Sequence, residues 1–376
     1  MLMDVMGITM LSPVAPQIVL RYSSEAVVVT LITIVYACGQ FIASPLIGKL
    51  GDRYGRRPVL LVSVLGQSLG YLIFGLGGSL WILLLGRLIG GITAGNLATA
   101  GAYIADVSKP EERSKNFTLI GTAWSLGLIL GPALGGLFGQ ISLETPAFVA
   151  AAVAFVNVLL SFFLLPESLP LEKRHSLALS LRDFNPVIAI SDMARKPGLG
   201  KLLLVNALFS FAFNGIASTS ALFVIQKFFA VTWQISLLMI LAGVSVAASN
   251  TFIVPRVIPR VGERISGTLS LVGLAIFYSA IFFAPFFWLV YPLNMLVSMM
   301  NSFIFPVLTT LSANRVDPQE MGTLMGVTSA VGSLMNVFGP LWAGVVYDNV
   351  MLGAPYWMGA LIVVLAAWIL SQTRPQ

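Results

Sequence analysis

Asp4 stands inside an apolar run that continues to Leu20, and it is the only acid placed well within such a run. A carboxylate in a membrane is costly, so it is protonated, paired, or turned toward a water-filled cavity. Surroundings that raise its pKa would make it a proton carrier across a hydrophobic barrier. The plainer alternative is that Asp4, so near the start of the chain, faces water or caps the helix. Arg87 is the only basic residue inside an apolar run. It would bond backbone carbonyls or hydroxyls lining a cavity, or else snorkel to the membrane surface. Arg87 lies about seven residues, roughly 10 Å, from the outer end of its run. Asp4 lies about 17 residues, roughly 25 Å, from the outer end of its own, so no direct Asp4–Arg87 pair is expected.

The stretch GKLGDRYGRRPVLL, Gly48 to Leu61, offers a different chemistry, with Asp52 set among Arg53, Arg56 and Arg57. Gly48 and Gly55 permit a tight turn at a membrane surface. Asp106 falls on the same side, so an Asp–Arg–Asp cluster could latch neighbouring helix ends in one conformational state. An exposed ion pair is worth only about 0–1 kcal/mol, but a network at a dry interface counts for more. A bias of that size tunes a two-state equilibrium. The other reading is that these charges only fix topology.

Further along, Gly127, Gly131, Gly135 and Gly136 recur at helical spacing around Pro132. That leaves a helix face almost without side chains, open to close approach by a neighbour. Pro132 removes a backbone hydrogen bond and bends the helix. Such a face would seal a pathway against leaks, or it is ordinary small-residue packing. Polar cavity candidates follow from periodicity: Thr33, Tyr36 and Gln40 share one face, as do Asn294, Ser298 and Asn301. Asn206, Asn214 and Asn336 add polar atoms, and Trp124 adds an aromatic wall. A mostly apolar pocket with a few hydrogen-bonding groups suits amphipathic compounds better than sugars. Hydrogen bonding between helices is the alternative for each of these residues.

The elements that must position them are helices. Of the 376 residues, 57% are hydrophobic and 10% charged, with a mean hydropathy of +0.92, which argues for a polytopic membrane protein. A crossing needs about 20 apolar residues. Breaking the chain at charged and Gly/Pro clusters gives twelve spans: 1–20, 26–48, 58–78, 80–106, 115–140, 146–165, 199–228, 232–255, 266–283, 286–311, 322–346 and 354–371. The fold expected is all-α, with two pseudo-symmetric six-helix bundles around a central cavity. They would occupy 1–165 and 199–376, joined by a cytoplasmic linker at 166–198. The first span is short at its front, as if the chain began inside the helix.

Seventeen lysines and arginines follow spans 2, 4, 6, 8 and 10, against Arg21 and Lys227 on the other side. By the positive-inside rule both termini are cytoplasmic. The net charge of +6 therefore reflects topology and not a nucleic-acid partner. The halves also repeat: at an offset of 208 residues GPALGG, from Gly131, falls on GPLWAG, from Gly339. GDRYGRR falls on the decayed IPRVGER, Ile258 to Arg264, at one residue less. A parallel repeat with a site between its halves is a known transporter plan. One cysteine, Cys38, and one histidine, His175, leave no basis for a disulfide or a metal site. No P-loop pattern and no nucleophile–base–acid set is present, so no enzyme, catalytic residue, cofactor or metal is expected.

On these motifs the chain resembles the major facilitator superfamily, and within it the drug/proton antiporters with twelve helices. Gly48, Asp52, Arg53, Gly55, Arg56 and Arg57 match the signature of the loop between helices 2 and 3. GRLIGGITAG resembles the Arg-and-Gly motif of helix 4, with Arg87 and Gly91 in place. GLILGPALGG resembles the helix 5 motif associated with exporters, and DVMGITMLSPVAP is similar to helix 1 of bacterial tetracycline antiporters. The chain departs from those antiporters at Gly70, where they carry an acid, and it lacks an acid in span 9 and a histidine in span 8. Those departures speak against recognition of a tetracycline–metal complex. The resemblance implies proton-coupled drug export by a monomer in the inner (plasma) membrane, with a small-molecule substrate, protons and the lipid bilayer as partners. The alternatives are a facilitator or symporter importing a nutrient, and a membrane sensor that transports nothing.

Overall fold

The structure is a computed structural model that describes residues 1–94, 96–108, 113–169, 186–316 and 320–373. His175 and residues 170–185 of the expected linker lie outside the described residues. The first half contains α1 (Leu2–Met10), α2 (Ala15–Val19), α3 (Ala26–Tyr54), α4 (Arg56–Leu76), α5 (Leu80–Thr93), α6 (Asn96–Val107), α7 (Arg113–Phe138) and α8 (Thr145–Leu164). After α9 (Pro186–Ala194) come α10 (Leu199–Phe228), α11 (Thr232–Ala248), a π-helical segment (Ser249–Ile253), α12 (Val254–Val261) and α13 (Glu263–Phe283). The chain ends with α14 (Phe287–Ala313), α15 (Met321–Asn349) and α16 (Ala354–Ser371). Among the described residues, eleven helical stretches are long and apolar enough to cross a membrane, and the shorter apolar helix Leu80–Thr93 lies within span 4. The chain is an all-α, multi-pass integral membrane protein.

Several spans differ from their sequence reading. Span 1 is two helices, because Pro13 and Pro16 lack the N–H groups that would continue α1. Span 4 is described as two helices, α5 and α6, with residue 95 between them outside the described residues. Span 8 passes through the π segment ahead of Pro255 before α12 resumes. The surface turn expected across Gly48 to Arg57 shrinks to one residue. Helix α3 runs through Tyr54, Gly55 alone takes φ 104°, and α4 starts at Arg56. Gly48 is not a turn residue; it sits inside α3 with open space beside it. The repeat reproduces the device, since Gly262 (φ 86°) separates α12 from α13.

By contacts the chain forms two compact units. The first holds Met1–Ser24, Leu31–Ser180 and Val231–Ile240; the second holds Glu25–Thr30, Leu181–Ala230 and Leu241–Gln376. In the first, α1 packs on α7 and α8, and α4 packs on α5 and α8. In the second, α10 packs on α15 and α16, and α13 on α14 and α16. Helix α9, within the stretch read as a linker, buries Met193 against Leu199, Leu203, Leu324 and Val327.

Candidate functional site

Glycines set the geometry of the first unit's interior. A side chain at Gly91 would collide with the Tyr36 backbone, and one at Gly39 would meet the Ile92 nitrogen at 2.9 Å. Helices α3 and α5 are therefore in backbone contact at this level. Gly70 and Gly86 do the same for α4 and α5, since a side chain on either would meet the other's carbonyl oxygen at 2.7–2.8 Å. Gly70, the departure from the tetracycline pattern, is thus a close-packing residue here. One turn from Gly91, Arg87 is drawn between aromatic rings, 4.9 Å from the Phe74 ring and 5.9 Å from that of Tyr36. The bonds to carbonyls or hydroxyls expected for Arg87 are replaced by these ring faces. Among the described residues its Nε is buried without a hydrogen-bond partner, as are the hydroxyls of Tyr36 and Tyr71 and Oε1 of Gln67. Cation–π contacts contribute about 2 kcal/mol or more when desolvated. An unsatisfied buried polar atom costs about 1–3 kcal/mol, so this group is a place for water or a polar ligand atom.

Asp4 lies in the same unit. Its Oδ1 accepts from Asn157 Nδ2 at 2.9 Å, and Oδ2 lies 3.1 Å from the amino-terminal nitrogen. No Asp4–Arg87 ion pair forms among the described residues. Instead Tyr36 and Tyr71 lie within electrostatic reach of both Asp4 and Arg87. Tyr71 also packs on Gly7 of α1, where a side chain would meet its ring at 2.9 Å. The periodicity reading missed Asn157, Gln67 and Tyr71. The last two stand four residues apart on α4, the same spacing that singled out Tyr36 and Gln40. Gln40 itself reaches the Ala94 carbonyl at 3.4 Å, while Thr33 and Trp124 are exposed.

The charged turn forms a network centred on Arg56. Arg56 pairs with Asp52 at 2.6 Å and with Asp106 at 3.4 Å, so the Asp–Arg–Asp arrangement is present. Glu167 Oε1 accepts from the Arg56 backbone at 2.9 Å, and Ser168 donates to Asp106 at 3.2 Å. Arg57 donates to the Phe162 carbonyl at 2.5 Å and lies over that ring, whereas Arg53 lies over Tyr54. Ends of α3, α4, α6 and α8 thereby share one set of bonds. Glu167 and Ser168 escaped the sequence reading because they fall beyond span 6.

The glycine helix α7 presents two faces. Gly127 and Gly131 lie against Val5 and Thr9, and Gly135 lies against the Met10 carbonyl of α1. The Thr9 hydroxyl lies within hydrogen-bond distance of both the Gly127 carbonyl at 2.9 Å and the Val5 carbonyl of its own helix at 2.8 Å. Gly136 turns the other way, onto Ser236, and Pro132 lies within the continuous helix. In the second unit Gly339 of α15 repeats the device on α10, where a side chain would meet the Phe211 carbonyl oxygen at 2.6 Å. There Asn206, Asn214, Asn294, Asn301 and Asn336 are half-buried and Ser298 is buried, accepting from Ser302 at 3.0 Å. Asn214 packs 3.4 Å from the position a Gly339 side chain would take.

Comparison with known proteins agrees with this architecture. The Major Facilitator Superfamily profile matches residues 1–340. The chain is 32% identical over 368 residues to the tetracycline resistance protein, class C, of Escherichia coli, covering 97% of this chain and 91% of that protein. It is 28% identical over 346 residues to multidrug resistance protein 2 of Bacillus subtilis (strain 168), covering 91% and 86% respectively. Among solved structures, the human organic anion transporter MFSD10 (TETRAN) matches with a TM-score of 0.74 at 29% identity, over 98% of this chain and 96% of that one.

Proposed function

The chain belongs to the major facilitator superfamily, and from that premise we propose that it exports a small lipophilic or amphipathic compound by alternating access, driven by inward proton flow. The observation that carries this reading is the embedded polar group of the first unit. Asp4 holds an amide partner, Asn157, and the nearby hydroxyls of Tyr36 and Tyr71 are unpartnered. In this reading Asp4 takes up and releases the proton. The Tyr36, Tyr71 and Arg87 side chains present aromatic faces and a few polar atoms to the substrate, a lining suited to amphipathic molecules. The network on Arg56 biases one conformational state, and the glycine faces of α7 seal the pathway. The protein works as a monomer in the inner membrane with both termini in the cytoplasm, as its distribution of basic residues supports. The names of the relatives, tetracycline and multidrug resistance proteins, support export of a drug-like compound.

The test is flux in inverted vesicles with an imposed pH gradient and a panel of lipophilic drugs. Drug addition should release protons through the protein, and Asp4→Asn should abolish that coupling in a well-expressed protein. Uptake that ignores the gradient would overturn the reading in favour of a facilitator.

A further inference from the structure

A cavity of about 630 Å³ opens in the second unit, around the one-residue turn at Gly262 and beside the ends of α14 and α16. Its polar wall carries Arg264, Arg315 and Asn314, and its other wall includes Ile265 and Leu269. These two aliphatic side chains are 56% and 61% exposed, on a helix that crosses the membrane. The cavity therefore joins a basic, hydrogen-bonding wall to two exposed aliphatic side chains.

The donors available there are specific. The hydroxyls of Thr268, Ser371 and Thr373 are committed to the backbone carbonyls of Arg264, Trp368 and Leu370. Arg315 donates to the Gly198 carbonyl at 2.6 Å, and its positive charge lies on the cavity wall. Among the described residues the Arg264 side chain makes no hydrogen bond or ion pair. Two guanidinium groups face one carboxylate, Glu263, so the lining favours an anion.

The internal repeat supplies an independent observation. Gly55 and Gly262 are equivalent turns, and the helix starts that follow them, at Arg56 and Glu263, are equivalent too. In the first copy the protein's own carboxylate, Glu167, accepts from the Arg56 backbone N–H. Arg57, the counterpart of Arg264, donates one guanidinium nitrogen there to the Phe162 carbonyl, while its Nε is buried with no partner among the described residues. In the second copy the cavity stands at that place. Among the described residues no carboxylate accepts from the first N–H groups of α13. What the first repeat fills with an anion of its own, the second leaves for one from outside.

We infer that this cavity binds the phosphodiester headgroup of an anionic phospholipid, with Arg264 as its principal contact, Arg315 and Asn314 beside it, and an acyl chain along Ile265 and Leu269. Basic pockets between transmembrane helices hold such headgroups by charge and by arginine's bidentate geometry. The inference does not depend on the transport reading.

The test uses the full purified chain in neutral detergent, with phosphatidylglycerol, phosphatidylethanolamine and inorganic phosphate as separate probes. Native mass spectrometry counts bound lipid, and thermal unfolding follows its stabilising effect. Phosphatidylglycerol should be retained in preference to phosphatidylethanolamine, and Arg264→Ala or Arg264→Gln should weaken that retention about tenfold, the loss expected for a charge-assisted contact. Arg260→Ala, an exposed charge outside the cavity, should leave it unchanged. Equal retention of the two lipids by the wild-type chain would overturn the inference, as would a preference that survives in Arg264→Gln. Stabilisation by inorganic phosphate matching that of phosphatidylglycerol would overturn the lipid assignment. The wild-type comparison decides even if neither Arg264 variant folds.

Discussion

Arg87, which has no ion-pair partner among the described residues, is held instead by aromatic rings. Its flat guanidinium lies between the Phe74 and Tyr36 rings, and Gly91 one turn away lets Tyr36 come that close. Lysine carries the same charge but has no plane to stack and a more strongly hydrated head. Arg87→Lys should therefore insert and remain monodisperse, yet lose about 0.5–2 kcal/mol of stability with the ring contacts. Drug-dependent proton flux should fall with it. Thermal unfolding in detergent and vesicle flux measure the two effects, and wild-type values for both would refute the stacked arrangement as a functional feature. Arg87 and Asp4 were legible in the sequence because an ionisable residue in an apolar run stands out. Asn157 was not, because an amide costs less in such a run and its partner lies 153 positions away. Gln67 and Tyr71 carry a signal of spacing alone, which becomes meaningful only once α4 is known to turn that face inward.

At the scale of the element, glycine carries three different duties that the sequence does not separate. Gly55 and Gly262 supply backbone angles that other residues hardly adopt, with ψ of 154° and 151° at positive φ. Gly91 and Gly135 lie against backbone atoms of a neighbouring helix. Gly48 does neither, since it is helical and nothing lies within 4 Å of the space a side chain would take. Gly262 has equally open surroundings, so any effect of adding a methyl group there is conformational. Gly262→Ala should cost about 1–3 kcal/mol for holding a non-glycine residue in that region. Gly48→Ala should be neutral or stabilise by about 0.5–1 kcal/mol, because glycine inside a helix is unfavourable. Paired thermal unfolding curves check this, and equal loss in both variants would contradict the one-residue turn. The motif placed the turn within ten residues or so, as spacing does. Its choice of glycine required the backbone.

At the scale of the molecule, the repeat extends beyond motifs to the way helix starts are shared. Gly136 of α7 receives Ser236 near the start of α11, and Gly344 of α15 receives Val27 and Thr30 at the start of α3. Contacts accordingly place Val231–Ile240 in the first unit and Glu25–Thr30 in the second. The span count and the offset of 208 residues exposed the two halves in the sequence. This exchange of helix starts was hidden, since it depends on pairs far apart in the sequence with no shared pattern. One such start is fastened by a single side chain. Asp348 accepts from the backbone of Ala26 at 2.7 Å and of Val27 at 2.9 Å, capping α3 from the end of α15. The first N–H groups of a helix have no partner within it, and losing an acidic cap costs about 0.5–2 kcal/mol. Asp348→Ala should lower the unfolding free energy by that amount, and Asp348→Asn, which keeps one acceptor oxygen, by less. Ordinary helix-surface substitution would not produce that ranking. Hydrogen exchange should localise the loss to residues 26–30, and unchanged protection there would show that α3 is held by its glycine contact with α15 alone.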